Sequence, residues 1–303
     1  IVLIGNGWLP IPPPAWGAIE ILIWDMYNKF KELGHECLIV NERYEHDVLR
    51  LTNNFQPDVV HLHAPRFHKI MDEINCKVKI ASSQDTQETQ EVLDGFVKNN
   101  FYIFAVSNEW KEKYIMHGRD PSTIIVTPNG VAEDKFQYKE NCSEPDKSIY
   151  LGMIEERKKQ YKYHDLKSVY FVGRILCQKF KKTECYLGEW TKQTLYMFLT
   201  SFANLVLLSS SEAHSLAVSE ALMCGLGVVV SEAASANLDR SKPWITVIPD
   251  NKLDDLEYVE NAINENRKNS IINRSNIRKH ALETLSWDVR IKEVLKAYET
   301  ILS

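Results

Sequence analysis

Leu205-Val206-Leu207-Leu208 runs into Ser209-Ser210-Ser211-Glu212-Ala213-His214-Ser215. The chain continues through Leu216-Ala217-Val218-Ser219-Glu220-Ala221-Leu222-Met223-Cys224-Gly225 to Leu226-Gly227-Val228-Val229-Val230. The first apolar run reads as a strand buried on both faces, as parallel sheets require. A polar loop follows, and Ser215 can cap a helix that starts near Leu216 and ends at Gly225. The last run is a second buried strand. The helix N-terminus offers N–H groups without partners and a partial positive charge, which together favour an anion. Glu212 lies in the loop just before that terminus, and Glu220 lies one to two turns inside the helix. A carboxylate beside Ala221 and Leu222 needs a partner. Sugar hydroxyls suit it, because one carboxylate accepts two of them at once. Taken alone, the two glutamates read equally as surface charges flanking an ordinary helix.

Working outward, strand and helix signals alternate along the chain. Ile1 to Ile4 reads as a buried strand. Ile19, Leu22, Ile23, Met26, Phe30 and Leu33 recur at offsets of three and four and form one helical stripe, stopped by Gly34. Cys37 to Val40, Val59 to His63, Lys77 to Ala81, Tyr102 to Val106 and Ile124 to Val126 read as further strands. Residues 107–117 read as a helix capped by Ser107, and residues 41–50 and 82–95 read as loops. Gln137 to Lys147 is polar, contains Pro145 and suits a linker. The alternation then restarts at Ile149 to Gly152, Val169 to Gly173 and Ile245 to Ile248. Ile291, Val294, Leu295, Tyr298 and Ile301 mark a final amphipathic helix. Strands alternating with helices imply right-handed crossovers and parallel sheets. The expected fold is α/β, with two doubly wound domains and ligands bound where strands end. The expected divisions are 1–140, 147–285 and a last helix over 286–303.

The 303 residues suffice for two such domains. Hydrophobic residues at 44% and charged residues at 25% fit a globular enzyme. The net charge of −5 argues against sequence-independent nucleic-acid binding, which needs clustered cations. The six cysteines form no C-x-x-C pair, and reduced thiols in a cytoplasmic protein are expected. No apolar run approaches the roughly 20 residues of a membrane span. Ile1 to Gly5 reads as a strand and not as a signal sequence.

The segment from Glu212 to Val229 resembles the donor-binding segment of GT-B glycosyltransferases, specifically the retaining family 4 (glycosyl transferases group 1). Those enzymes carry two glutamates separated by seven residues, then an Ala-(Leu/Met)-x-x-Gly-x-x-Val-Val run, and Glu212, Glu220 and Ala221 to Val229 keep that pattern. Two Rossmann-like domains with an interdomain cleft and a C-terminal helix crossing back to the first domain are then expected. The resemblance places Glu212 against the transferred sugar, Glu220 on the ribose, and His214, Ser215 and Leu216 near the diphosphate or the sugar. Ala213-His214-Ser215 stands where the family has Gly-Phe-Gly, which leaves the donor sugar open.

The resemblance covers nearly the whole chain. Pro13-Pro14-Ala15-Trp16-Gly17-Ala18-Ile19-Glu20 is similar to a loop that lines the family's donor cleft; Gly17 allows close approach to the ligand, and Ala18 replaces a second glycine. Asp58-Val59-Val60-His61-Leu62-His63 is similar to Asp-x-x-His-x-His, which carries a sugar contact to His63; either histidine reads equally as a core imidazole. Gln84-Asp85 stands where many relatives have His-Asp. Pro128-Asn129-Gly130-Val131 matches an architectural turn, and Trp287-Asp288 matches the family's tail. The family holds the diphosphate with an Arg after the first Gly of the second domain and a Lys six or seven residues on. Met153 replaces that Arg after Gly152. Arg157, Lys158 and Lys159 cluster at the right distance, with Lys159 the best fit by spacing and Arg157 or Arg174 a substitute for the missing Arg. A solvated basic run is the other reading of the cluster.

The activity this implies is transfer of a hexose-type sugar from a UDP- or GDP-linked donor to an acceptor hydroxyl on a glycan, lipid or small molecule, as in glycan biosynthesis. Retention by front-face attack is implied, with Glu212 positioning the sugar, His63 supporting it, and the acceptor proton leaving through a diphosphate oxygen. No Asp-x-Asp motif suggests a metal, and no tightly bound cofactor is expected. Arg43, Tyr44, Arg66 and Phe67 are open to contact with an acceptor or a peripheral membrane surface, or are ordinary exposed residues. The competing readings are an inactive nucleotide-sugar-binding relative, a sugar-nucleotide epimerase or phosphorylase on the same fold, and a two-lobed sugar-binding protein.

Overall fold

Val2-Leu3-Ile4 pairs in parallel on both sides: Leu3 stands opposite Ile39 on one neighbour and opposite His61 on the other. The computed structural model describes residues 1–14, 17–84 and 90–303. They divide into one unit of Ile1–Gly130 with Trp287–Ser303 and a second of Val131–Ser286. The first unit carries β1 (Val2–Ile4), α1 (Ala18–Glu32), β2 (Leu38–Val40), α2 (Glu45–Phe55), β3 (Val59–Leu62), β4 (Val78–Ser82), α3 (Gln90–Lys98), β5 (Tyr102–Ala105), α4 (Asn108–Met116) and β6 (Ile124–Val126). Its sheet is parallel, in the order β2-β1-β3-β4-β5-β6.

The second unit carries β7 (Glu144–Leu151), β8 (Val169–Val172), α5 (Lys192–Phe198), β9 (Phe202–Leu207), α6 (Leu216–Met223), β10 (Gly227–Ser231), β11 (Ile245–Ile248) and α7 (Leu256–Thr284). Its parallel sheet runs β11-β10-β9-β7-β8. Both sheets are doubly wound, with the order reversing between β1 and β3 in the first and between β7 and β9 in the second. Those reversals open a crevice at the strand C-termini, where such sheets bind ligands.

The last helix, α8 (Trp287–Leu302), belongs to the first unit. Asp288 pairs with Lys29 of α1 at 2.7 Å, and Tyr298 packs on Phe30 and Phe104. The Trp287 ring leaves no room for a side chain at Gly130, so the Pro128-Asn129-Gly130 turn is fitted to this helix. Asn129 also exchanges side-chain hydrogen bonds with Gln84. Asp85, the other half of the Gln84-Asp85 pair, lies outside the described residues, as do Ala15 and Trp16.

Local signals act as their chemistry dictates. Gly34 takes φ 84°, and the amides of Gly34 and His35 return to the carbonyls of Lys31 and Phe30, a left-handed close of α1. Gly225 closes α6 in the same way at φ 80°. Ser107 accepts from the Trp110 amide and caps α4. Ser215 stands at the N-cap of α6 but makes no side-chain capping bond.

Four sequence expectations need correction. The 41–50 and 82–95 segments are not loops throughout, because α2 begins at Glu45 and α3 at Gln90. The linker is shorter than 137–147: β7 starts at Glu144 and carries Pro145 across an irregularity in its pairing with β9, where a ladder tolerates proline. Residues 131–140 join the second unit, where the Val131 amide donates to the Leu285 carbonyl and Phe136 packs edge-on against Tyr196. Helix α7 was not expected at all. Among the described residues no helix is long and apolar enough to cross a membrane.

Candidate functional site

In the second unit two loops meet at the β7/β9 reversal, and buried hydroxyls tie them together. Tyr150, on β7, donates its hydroxyl proton to the Lys158 carbonyl and accepts from the Leu208 amide at 2.8 Å. The Ser210 amide donates to the Arg157 carbonyl at 2.8 Å. Gln160, fully buried, holds the turn from beneath by donating to the Met153 carbonyl at 2.9 Å. Gly152 takes φ 134° and Gly173 takes φ 144°; a Cβ at Gly173 would stand 2.0 Å from the Gly152 carbonyl oxygen. This close crossing of the ends of β7 and β8 lets the Lys158 stem pass over Gly152 toward the second loop.

Glu212 receives that cation. One carboxylate oxygen lies 2.8 Å from the Lys158 ammonium and 3.0 Å from the Arg157 guanidinium. Arg157 also holds the Ser211 carbonyl, and it pairs with Glu155 at 2.7 Å. Burial alone would raise the Glu212 carboxyl, but the charges of Lys158 and Arg157 outweigh it and hold the group below its ordinary value. With side chains only 11–12% exposed at Glu212 and Lys158, removing the carboxylate strands Lys158, at a cost of about 3 kcal/mol. Lys159, favoured by spacing, has a left-handed backbone at φ 55°, and its charge acts on Asp254. The side chain of Arg174 is exposed beyond β8. Of the four cations, Arg157 and Lys158 are therefore the two that reach Glu212 in the second loop.

Glu220 is buried inside α6, and its partner is Lys192 at the start of α5, 2.7 Å away. The carboxylate is thus already paired by the protein, where the sequence suggested a sugar hydroxyl alone. His214, Ser215 and Leu216 lie at the N-terminal end of α6, with the His214 ring 3.5 Å from the Ser219 hydroxyl. Lys192 and Tyr150 were not singled out from the sequence, and nothing in the spacing of Lys192 links it to Glu220. Gln160 was noted there only as the residue that follows Lys159.

The first unit places His63 at the end of β3, beside the β1/β3 reversal, with its amide donating to the Ile4 carbonyl at 2.9 Å. The imidazole is 2% exposed, and neither ring nitrogen has a hydrogen bond among the described residues. Burial pushes its pKa down to about 3, so the ring is neutral. A buried polar ring without partners costs about 1–3 kcal/mol. His61, in contrast, is a bonded core residue: its Nδ1 lies 2.7 Å from the Tyr298 hydroxyl and its Nε2 2.7 Å from the Ser82 hydroxyl. Gly17 takes φ 135° at the start of α1, where a Cβ would press on the buried Glu20 carboxylate. Burial raises the Glu20 carboxyl.

All six cysteines are free thiols. Among the described residues no group of three His, Cys, Asp or Glu side chains could hold a metal ion.

No protein-family model and no curated protein sequence matches the chain. Solved structures do. A sucrose-phosphate synthase from Thermosynechococcus elongatus superposes with TM-score 0.76 at 12% identity, covering 99% of this chain and 98% of its own. AviGT4, a glycosyltransferase involved in avilamycin A biosynthesis, gives 0.76 at 16%, with 99% and 97% covered. HepE of Anabaena, in complex with UDP and glucose, gives 0.74 at 12%, with 99% of each chain covered. The likeness shows the fold, two doubly wound α/β units of the GT-B class.

Proposed function

We propose that the chain is a glycosyltransferase that uses a nucleotide-diphosphate sugar. The observation that carries this reading is the arrangement at the β7/β9 reversal, where Arg157 and Lys158 converge on Glu212 just ahead of the N-terminus of α6. Two cations and a helix N-terminus suit a diphosphate, and a carboxylate beside them suits sugar hydroxyls. The fold is shared with HepE, which was solved with UDP and glucose, and with other glycosyltransferases.

On this reading the diphosphate takes Arg157, Lys158 and the amides of Ser215 and Leu216, with His214 alongside. Lys159 and Arg174 answer the outer charge. Glu220, oriented by Lys192, accepts the ribose hydroxyls. Glu212, released by the diphosphate from its cations, accepts hydroxyls of the sugar. The glycosidic bond breaks toward the diphosphate, whose growing charge Arg157 and Lys158 stabilise. The acceptor oxygen forms the new bond from the same face and passes its proton to the departing phosphate oxygen, with retention and with no metal step. A hexose donor and a glycan, lipid-linked or small-molecule acceptor belong to the same proposal.

The test is turnover of UDP- and GDP-hexoses with a panel of glycan and lipid acceptors, with and without EDTA. Release of nucleoside diphosphate with the sugar found on the acceptor, in the same anomeric form and indifferent to EDTA, is the expected outcome. Conversion of the sugar without release of nucleotide would instead indicate an epimerase. Binding with no turnover would indicate an inactive relative, the reading that Met153 and Ala213 motivate.

A further inference from the structure

His63 and His61 differ in one respect that their shared strand does not explain. Both rings are 2% exposed, and they stack on each other at 4.0 Å between centroids. His61 is held at both edges, by Tyr298 on α8 and by Ser82 on β4. His63 is held at neither. Its ring lies stacked on the face of His61.

Neither the Tyr298 nor the Ser82 hydroxyl has another hydrogen bond among the described residues, so the neutral His61 ring donates to one of them and accepts from the other. Phe104 and Tyr298 close edge-on around the same ring, at 5.2 and 6.0 Å. A ring pinned at both ends and walled by aromatics is a rigid shelf.

We propose that Tyr298, on the last helix, is a positioning residue that acts through His61 to fix the imidazole of His63 in the orientation used for sugar transfer. The inference rests on the transferase reading for the use made of His63, but the coupling from Tyr298 to His63 stands on its own geometry. It gives the last helix a task beyond covering the sheet. Its hydroxyl, on a ring packed against Phe30 and Phe104, reaches the site through one intermediate ring. Ser82 completes the hold from the opposite edge.

The test is Tyr298→Phe, which removes only the hydroxyl and keeps the ring packing, compared with Ser82→Ala and with wild type. Full-length protein labelled with 15N-histidine is followed by long-range 1H–15N spectra, with His61→Gln and His63→Gln assigning the signals. In wild type, His61 should show a single neutral tautomer. In Tyr298→Phe, His61 should show tautomer exchange and the His63 signals should shift or broaden. Turnover should fall about tenfold in kcat with donor KM unchanged, as expected when a contacting group loses its orientation. The double variant with Ser82→Ala should lose less than the product of the single losses. Unchanged His63 signals in Tyr298→Phe would overturn the proposal, as would a loss of turnover that follows the melting temperature alone. If wild type transfers no sugar, the transferase reading fails by itself, and the spectra still decide the coupling.

Discussion

The ammonium of Lys158 sits 2.8 Å from Glu212, on the oxygen that also receives Arg157 at 3.0 Å. Before a donor arrives, the two cations suited to a diphosphate are both engaged by the carboxylate suited to its sugar, and Arg157 by Glu155 as well. Glu212→Gln should therefore separate two quantities that usually move together. Nucleoside diphosphate should bind about tenfold more tightly, roughly 1.4 kcal/mol, because Lys158 loses its paired carboxylate while Arg157 keeps only Glu155. Transfer should fall about a hundredfold, because the sugar loses its anionic acceptor. Calorimetry and turnover on one preparation check both directions; equal weakening of the two would contradict the assignment.

Lys192→Met removes the partner of Glu220 without touching the loops that hold Arg157 and Lys158. We expect UDP or GDP to bind roughly tenfold more weakly, with most of the loss traced to the ribose. The check is a comparison with the 2′,3′-dideoxy nucleotide. Wild type should discriminate against it, and the variant should discriminate much less.

Acid should destabilise the first unit through its histidines. The His63 pKa lies near 3 in the fold against an ordinary 6.5, and burial, reinforced by the charge of His63, pushes His61 well below 6.5. Between about 3 and 6.5 the unfolded chain binds more protons at His63, so stability falls as pH falls through this window. The slope is about 1.4 kcal/mol per pH unit for one such group. Denaturant midpoints from pH 7 to 4.5 should drop in wild type and drop less steeply in His63→Gln. The depressed Glu212 carboxyl also favours the fold at higher pH, but its loss lies below its ordinary 4.5, outside that range.

Gly173→Ala tests the crossing that brings the two loops together. A Cβ there meets the Gly152 carbonyl oxygen at 2.0 Å, on a backbone at φ 144°. Loss of about 1–3 kcal/mol is expected, read as a shift in denaturant midpoint at constant slope. A neutral substitution would mean that the two glycine turns do not cross as described.

The strands and α1 were legible because parallel, doubly covered sheets require continuous apolar runs, and Val2-Leu3-Ile4 or Val228-Val229-Val230 admit little else. Helix α7 was hidden because part of its buried face is polar. Asn266, Ser270 and Arg274, each four residues from the next, are all at most 1% exposed. Arg274 donates to the carbonyls of Lys139, Phe202 and Thr200, and Asn266 to those of Val228 and Trp244. A hydrophobic period cannot reveal a helix that packs partly through hydrogen bonds to strand ends. At the site, the loop and helix carrying Glu212 and Glu220 could be read from local chemistry. Lys192 and Tyr298 could not, because their partners lie 28 and 237 residues away.

The most direct measurement is a thermal-shift titration of UDP, GDP, ADP and TDP against wild type, Glu220→Ala and Arg157→Ala, at pH 7 and with EDTA present. The account predicts that one nucleotide stabilises wild type by about 2.7 kcal/mol at a hundredfold excess over its dissociation constant. It also predicts that the shift is largely lost in both variants. No shift from any nucleotide, or a shift that survives both substitutions, would contradict a donor site built on Arg157, Glu212 and Glu220.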